Sequence, residues 1–184
     1  MSMCLSNSEL DDHIAKRQLI AISRKELGSN KRQGFPLAYS PDLLVLRYVH
    51  DFYLDGLLLV RRNDITESFC RGTDKFQRKL LEAENLLKRR LFSFSQPLGS
   101  LHAFLSSLGR KQVVIIENES PDIEDFYIGR IVSANQESIE LQEFSGVGNW
   151  EKNTTKIPTK DVTCCQLESN YISFYARHFQ RTAQ

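Results

Sequence analysis

The chain has almost no net charge and no long apolar run. Its 24 basic residues stand against 23 acidic ones, leaving +1, so no whole-molecule field draws it toward nucleic acid, anionic lipid or an acidic substrate. The longest apolar stretches, such as Val113 to Ile116, run to four or five residues, against the roughly 18 that cross a bilayer. Met1 to Asp12 is polar and holds neither the basic start nor the apolar core of a signal peptide. Cysteine is scarce and unpatterned: Cys4, Cys70, Cys164 and Cys165 form no C-x-x-C pair, and no histidine stands at zinc-ligand spacing. A reduced, cytoplasmic protein with no cofactor, no metal and no membrane partner is the expectation.

The constellations of catalysis are also missing. Gly146-Val-Gly148 lacks the third glycine of a dinucleotide fingerprint and falls between strands, so it reads as a loop. His50-Asp51 is a polar pair, yet alternation along a strand predicts opposite faces for the two side chains, which favours a structural His50 over a base. His13, His102 and His178 have no companions. Cys164-Cys165 reads as packing, one residue inward and the other toward solvent or a neighbouring element. The acidic run Glu117, Glu119, Asp122, Glu124 and Asp125 has neither the spacing nor the glycine of a calcium loop, and reads as a solvated connection. With no catalytic residue assigned, the expectation is a binding or scaffolding module rather than an enzyme.

What is present is a core-forming chain that repeats itself. A length of 184 residues with 41% apolar and 26% charged content suits one large domain or two small ones, and excludes disorder. Gln18 is followed by Leu-Ile-Ala-Ile and Gln112 by Val-Val-Ile-Ile, each after two basic residues. Gly34 and Gly129 follow these glutamines by 16 and 17 positions, and Leu46 and Leu141 lie 12 beyond each glycine. Val60-Arg-Arg-Asn-Asp64-Ile-Thr66 then answers Ile157-Pro-Thr-Lys-Asp161-Val-Thr163. The offset drifts only from 94 to 97, which points to a duplicated unit. Gly34, Gly129, Asp64 and Asp161 are its markers.

Each unit reads as strands. Residues 18–24 and 112–118 are short β-branched runs, and 43–54 alternates with Leu44, Leu46, Tyr48, His50 and Phe52 on one face. Asp55-Gly56 is expected to make a tight turn, with Leu57 to Arg62 as the returning strand. In the second unit, Ser138 to Phe144 is followed by the looser Gly146–Asn149 connection before Thr154 to Ile157. Between the units the period becomes helical: Thr73, Phe76, Leu80, Ala83, Leu87 and Leu91 share one stripe, with Asp74 at the start and Lys88-Arg89-Arg90 at the end. Pro97 is expected to open a second helix through Leu98, Leu101, Leu105 and Leu108, stopped by Gly109. The predicted plan is a polar segment 1–17, a β unit 18–72, a helical connector 73–109 packed on the units, and a β unit 110–184.

The order strand, glycine-bent strand, long strand, hairpin partner, short turn and last strand is similar to a small SH3-like barrel, and Tyr127-Ile-Gly-Arg-Ile-Val132 resembles the start of the first Sm motif. The chain therefore resembles a bacterial Sm-like protein with two barrels in tandem, over about residues 18–71 and 112–179. The resemblance implies an α+β fold richer in strand than helix. Sm proteins bind RNA through an Asp and an Asn after that glycine and an Arg-Gly step in the second motif. Here Asn135 and Ile139 occupy the first two places, Ser40 and Leu44 do so in the first unit, and no Arg-Gly step stands near Val60 or Ile157. The RNA pocket is thus not carried over with the fold.

Two kinds of partner follow. Open barrel edges are templates for strand addition, which favours a protein partner or self-association at Ile65 to Cys70 and Val162 to Leu167, between the two units or with another chain. The alternative is RNA or another single strand on the basic half. Residues 1–110 hold 17 basic and 12 acidic side chains, whereas 111–184 hold 7 and 11. Arg61, Arg62, Arg71, Lys75, Arg78, Lys79, Lys88, Arg89 and Arg90 are the candidate phosphate contacts, with Tyr48, Phe52 and Tyr53 as stacking faces. The opposing reading of that charge is a set of solvated faces, or halves that face each other or a second copy.

Overall fold

A computed structural model describes residues 5–27 and 31–182. The chain divides into two compact units, Met1–Ser95 and Gln96–Gln184. The first holds α1 (Asn7–Ala15), β1 (Ile20–Ser23), β2 (Arg32–Tyr39), β3 (Leu43–His50), β4 (Tyr53–Arg61), β5 (Glu67–Phe69) and α2 (Gly72–Ala83). The second holds α3 (Leu101–Ser107), β6 (Val113–Ser120), β7 (Ile123–Ala134), β8 (Ser138–Glu143), β9 (Thr155–Pro158), β10 (Cys164–Leu167) and α4 (Asn170–Thr182). The fold is α+β with more strand than helix.

Both units string their strands in one order. In the first it is β5-β1-β2-β3-β4 and in the second β10-β6-β7-β8-β9, all neighbours antiparallel. The bends fall at matching places. A Cβ on Gly34 would stand 2.7 Å from the Arg47 carbonyl oxygen, and one on Gly129 would stand 2.2 Å from that of Gln142. Only glycine lets the neighbouring strand come that close. Three positions beyond each glycine the ladder gains one extra residue, Leu37 in β2 and Val132 in β7, a bulge that bends the strand further.

The turns repeat as well. The Ser40 hydroxyl accepts from the Leu43 amide (3.1 Å), as the Asn135 carboxamide oxygen accepts from the Ser138 amide (2.9 Å). The Arg62 amide donates to the Asp42 carbonyl and the Thr159 amide to that of Glu137. Each begins a 3-10 turn, Arg62–Asp64 or Thr159–Asp161, in which Asp64 and Asp161 hold equivalent last places.

The cores follow from the apolar runs. Every residue of β3 from Leu43 to Val49 is buried, so this strand is covered on both faces and reads as a continuous apolar run rather than an alternation. Leu19, Phe35, Val49 and Leu81 form one cluster with Leu54, Leu87 and Phe92 packed on it. In the second unit Val113, Ile115, Ile128, Phe144 and Ile172 are joined by Trp150, Tyr175 and Phe179.

Several expectations are corrected. The hairpin turn is at Asp51-Phe52, both left-handed (φ 43° and 66°), and not at Asp55-Gly56. Gly56 (φ 78°) instead sits in a bulge where Asp55 and Gly56 oppose Tyr48 alone. A left-handed glycine serves a bulge as well as a turn, so the local pattern fits both. Placing Asp51 in the turn also brings its carboxylate to 3.8 Å from His50 Nε2 rather than to the opposite face, with both side chains exposed.

The first connector helix stops at Ala83 because Asn85 adopts φ 55° and closes the end: its amide donates to the Glu82 carbonyl and that of Leu86 to Leu81. Leu87, Leu91 and Lys88-Arg89-Arg90 therefore lie beyond it, and Phe76 and Leu80 are exposed. The second starts at Leu101, four positions after Pro97, where the Ser100 hydroxyl caps it by accepting from the Ala103 amide. Glu117, Glu119, Glu124 and Asp125 lie on β6 and β7, and only the intervening Pro121-Asp122 is a turn.

Two helices escape the sequence reading. Within the expected polar segment, Ser6 and Glu9 form a capping box around α1, with buried Leu5 and Leu10 at the staple positions. At the other end, Ser169 caps α4. Among the described residues, no helix is long and apolar enough to cross a membrane.

Candidate functional site

The site lies where α1 ends. Its last turn closes with the Arg17 amide on the Ile14 carbonyl (3.1 Å) and the Gln18 amide on that of His13 (2.9 Å). This pattern needs a left-handed residue, usually glycine, and here Arg17 takes the position at φ 47°. The His13 ring and the Gln18 carboxamide, 2.5 Å apart, brace the same corner. The strained backbone turns the chain into β1 and leaves a long cationic side chain at the bend.

The opposite wall comes from residues 89–93. After Asn85 stops α2, Leu87 and Phe92 return to the core, with the Phe92 ring edge-on to Phe35 at 5.3 Å. Buried Arg47 fixes this segment by donating from Nε to the Leu91 carbonyl (3.1 Å). Anchored at both ends, the stretch presents Arg89 and Arg90 to solvent. The Arg17 guanidinium lies 4.8 Å from the centre of the Phe92 ring, a cation–π contact that ties the two walls together.

Between them is a groove of about 610 Å³ lined by Ile14, Ala15, Arg17, Pro36, Arg89, Arg90, Phe92 and Ser93. Its lining combines the apolar Ile14, Ala15, Pro36 and Phe92 with three arginines, Arg17, Arg89 and Arg90. Among the described residues no acidic side chain lines it, so the charge of its lining residues is positive.

The predicted nucleic-acid residues fare differently. Arg89 and Arg90 meet in the groove. Lys88 is exposed beside them, and Lys75 and Lys79 are exposed on α2, where Arg78 is half-buried. Arg61 is half-buried at the end of β4. Arg62 is buried and serves the fold: Nη1 donates to the Ser40 carbonyl (2.8 Å), Nη2 to that of Leu5 (2.9 Å), and the guanidinium covers Tyr39. It is not placed to touch phosphate. Tyr48 is buried, its ring stacked on His50 and its hydroxyl accepting from Arg32, so it offers no open face. Phe52 and Tyr53 are 50% and 76% exposed at the hairpin tip. Arg17 and Phe92 were not among the candidates. Their signal is weak, since Arg17 enters the sequence only as part of a basic pair before Gln18.

The expected edges are short. β5 has three half-buried residues, whereas Cys164, Cys165 and Leu167 of β10 are buried; both cysteines pack, and neither faces solvent. The Cys164 sulfur and the Glu117 and Glu119 carboxylates lie within 4.8 Å of one another. Those carboxylates are engaged by Gln166 and by the Thr163 hydroxyl.

Comparison with protein-family models, curated proteins and solved structures finds no match to this chain.

Proposed function

We propose that the chain is a non-enzymatic binding module made of two small barrels of the SH3-like, Sm-like kind, and that its first unit binds single-stranded nucleic acid at the basic groove. The shared strand order, with its paired glycine approaches and bulges, supports the barrel reading. The observation that carries the function is the set of three arginines, Arg17, Arg89 and Arg90, around one groove. Guanidinium forks suit phosphate oxygens, and Ile14, Ala15 and Pro36 give the same groove apolar surface for a base or sugar. A protein strand added to β5 is the competing reading, and the three residues of that strand offer it few backbone groups.

Titration of a fluorescent ten-nucleotide strand at several salt concentrations tests the proposal. Neutralising two to three phosphate charges gives a slope of log affinity on log salt of about −1.4 to −2, and Arg89→Glu should weaken binding and flatten that slope. Absent binding, or binding indifferent to both salt and Arg89→Glu, overturns it.

A further inference from the structure

Resting on that reading, we propose that the groove is an end-recognition subsite, which takes the terminal phosphate monoester of a strand rather than its internal diesters. The positive charge is concentrated, not strung out. Arg17, Arg89 and Arg90 share one groove, while Lys75, Lys79 and Arg61 do not line it. A strand passing through would meet one negative charge per phosphate along its length, and would call for a row of cations. A monoester brings close to two charges and three acceptor oxygens to a single point, which matches a cavity lined by three arginines.

The remaining lining agrees with this. Ile14, Ala15 and Pro36 form an apolar wall in a space of about 610 Å³, within the range of roughly 300–1,000 Å³ typical of small-ligand sites. That space accommodates the terminal nucleoside beside its phosphate. Among the described residues, Arg89 and Arg90 are exposed and make no side-chain hydrogen bond within the protein, so their donors are available to such a ligand.

The test uses the full chain and three strands of one sequence, carrying a 5′-phosphate, a 3′-phosphate or neither. At pH 7.5 a terminal phosphate at the favoured end should tighten binding about tenfold or more, the equivalent of one charge-assisted hydrogen bond. Comparing the two phosphorylated strands tells which end is read. The advantage should shrink at pH 5.5, below the second phosphate pKa of about 6. It should disappear in Arg90→Gln and persist in Lys75→Gln. Both side chains are exposed, and the urea midpoint of each variant checks that the fold is intact. Equal, measurable affinity for all three strands overturns the subsite and leaves single-strand binding standing. Binding to none overturns both.

Discussion

The hydroxyl and the amide of Thr66 both reach the carbonyl oxygen of Ser23, at 3.1 and 2.9 Å. Ninety-seven positions later Thr163 does the same to Glu117, at 3.1 and 2.9 Å. In each unit this clamp ties the exit of the 3-10 turn to the first strand. Its recurrence makes the sequence repeat a repeat of hydrogen bonds.

Gly34→Ala and Gly129→Ala should each destabilise the protein, by about 1–3 kcal/mol, because the new methyl group overpacks a close strand crossing. Gly129→Ala should be the more damaging, since its Cβ would stand 2.2 Å from backbone oxygen against 2.7 Å at Gly34. Gly99→Ala, with nothing within 4 Å of the added Cβ, should change stability by less than about 0.5 kcal/mol. Urea unfolding of the three variants measures this. Equal stability across them would remove the structural equivalence of the two glycines.

Arg17→Gly should separate stability from binding. A glycine relieves the left-handed strain, so the fold is expected to keep or gain up to about 1 kcal/mol, while oligonucleotide affinity falls. Chemical denaturation and the titration are run on the same preparation. A variant that loses stability shows that the contact with Phe92 outweighs the backbone strain.

Arg62→Ala should do the reverse. It strips donors from the Ser40 and Leu5 carbonyls and uncovers Tyr39, for a loss of about 2–4 kcal/mol. At temperatures where the variant is still folded, the salt slope of strand binding should match wild type. A flatter slope would make Arg62 a phosphate contact after all.

Acid should loosen α1. Ser6 donates from its hydroxyl and its amide to the Glu9 carboxylate, which holds that group below its ordinary value of 4.5. A carboxylate lowered by folding stabilises above its unfolded pKa, and the contribution disappears as pH falls through the folded one. Protection of the α1 amides against hydrogen exchange, taken relative to the intrinsic rate at each pH, should therefore fall below about pH 4.5, and Glu9→Gln should remove that component of the pH dependence.

What was legible in the residues was what lies close together in the chain. Short β-branched runs and the spacing of Gly34 and Gly129 locate the strands because both features act within a strand and its neighbour. Asp55-Gly56 misplaces the hairpin because the true turn uses Asp51 and Phe52: Asp tolerates a left-handed backbone, but Phe does not advertise one and Gly does so more strongly than either. The leucine stripe overruns α2 because Leu87 still packs on the core after Asn85 has ended the helix. Ser6-x-x-Glu9 and the helical spacing of Ile172, Tyr175 and Phe179 are readable signals of α1 and α4. The groove was not readable: it joins Arg17 to Arg89 across 72 positions, and only the return of Phe92 to the core brings them together.

Arg17 gives the short α1 a second purpose. The nine-residue helix begins at the Ser6–Glu9 cap, and Arg17, which lines the groove, stands two positions past its last residue, so cap and groove lie at opposite ends of one lever. Ligand held by Arg17 should in turn slow fraying at the far end, since coupling between two equilibria works in both directions. The first turn of α1, which does not line the groove, is then expected to report occupancy.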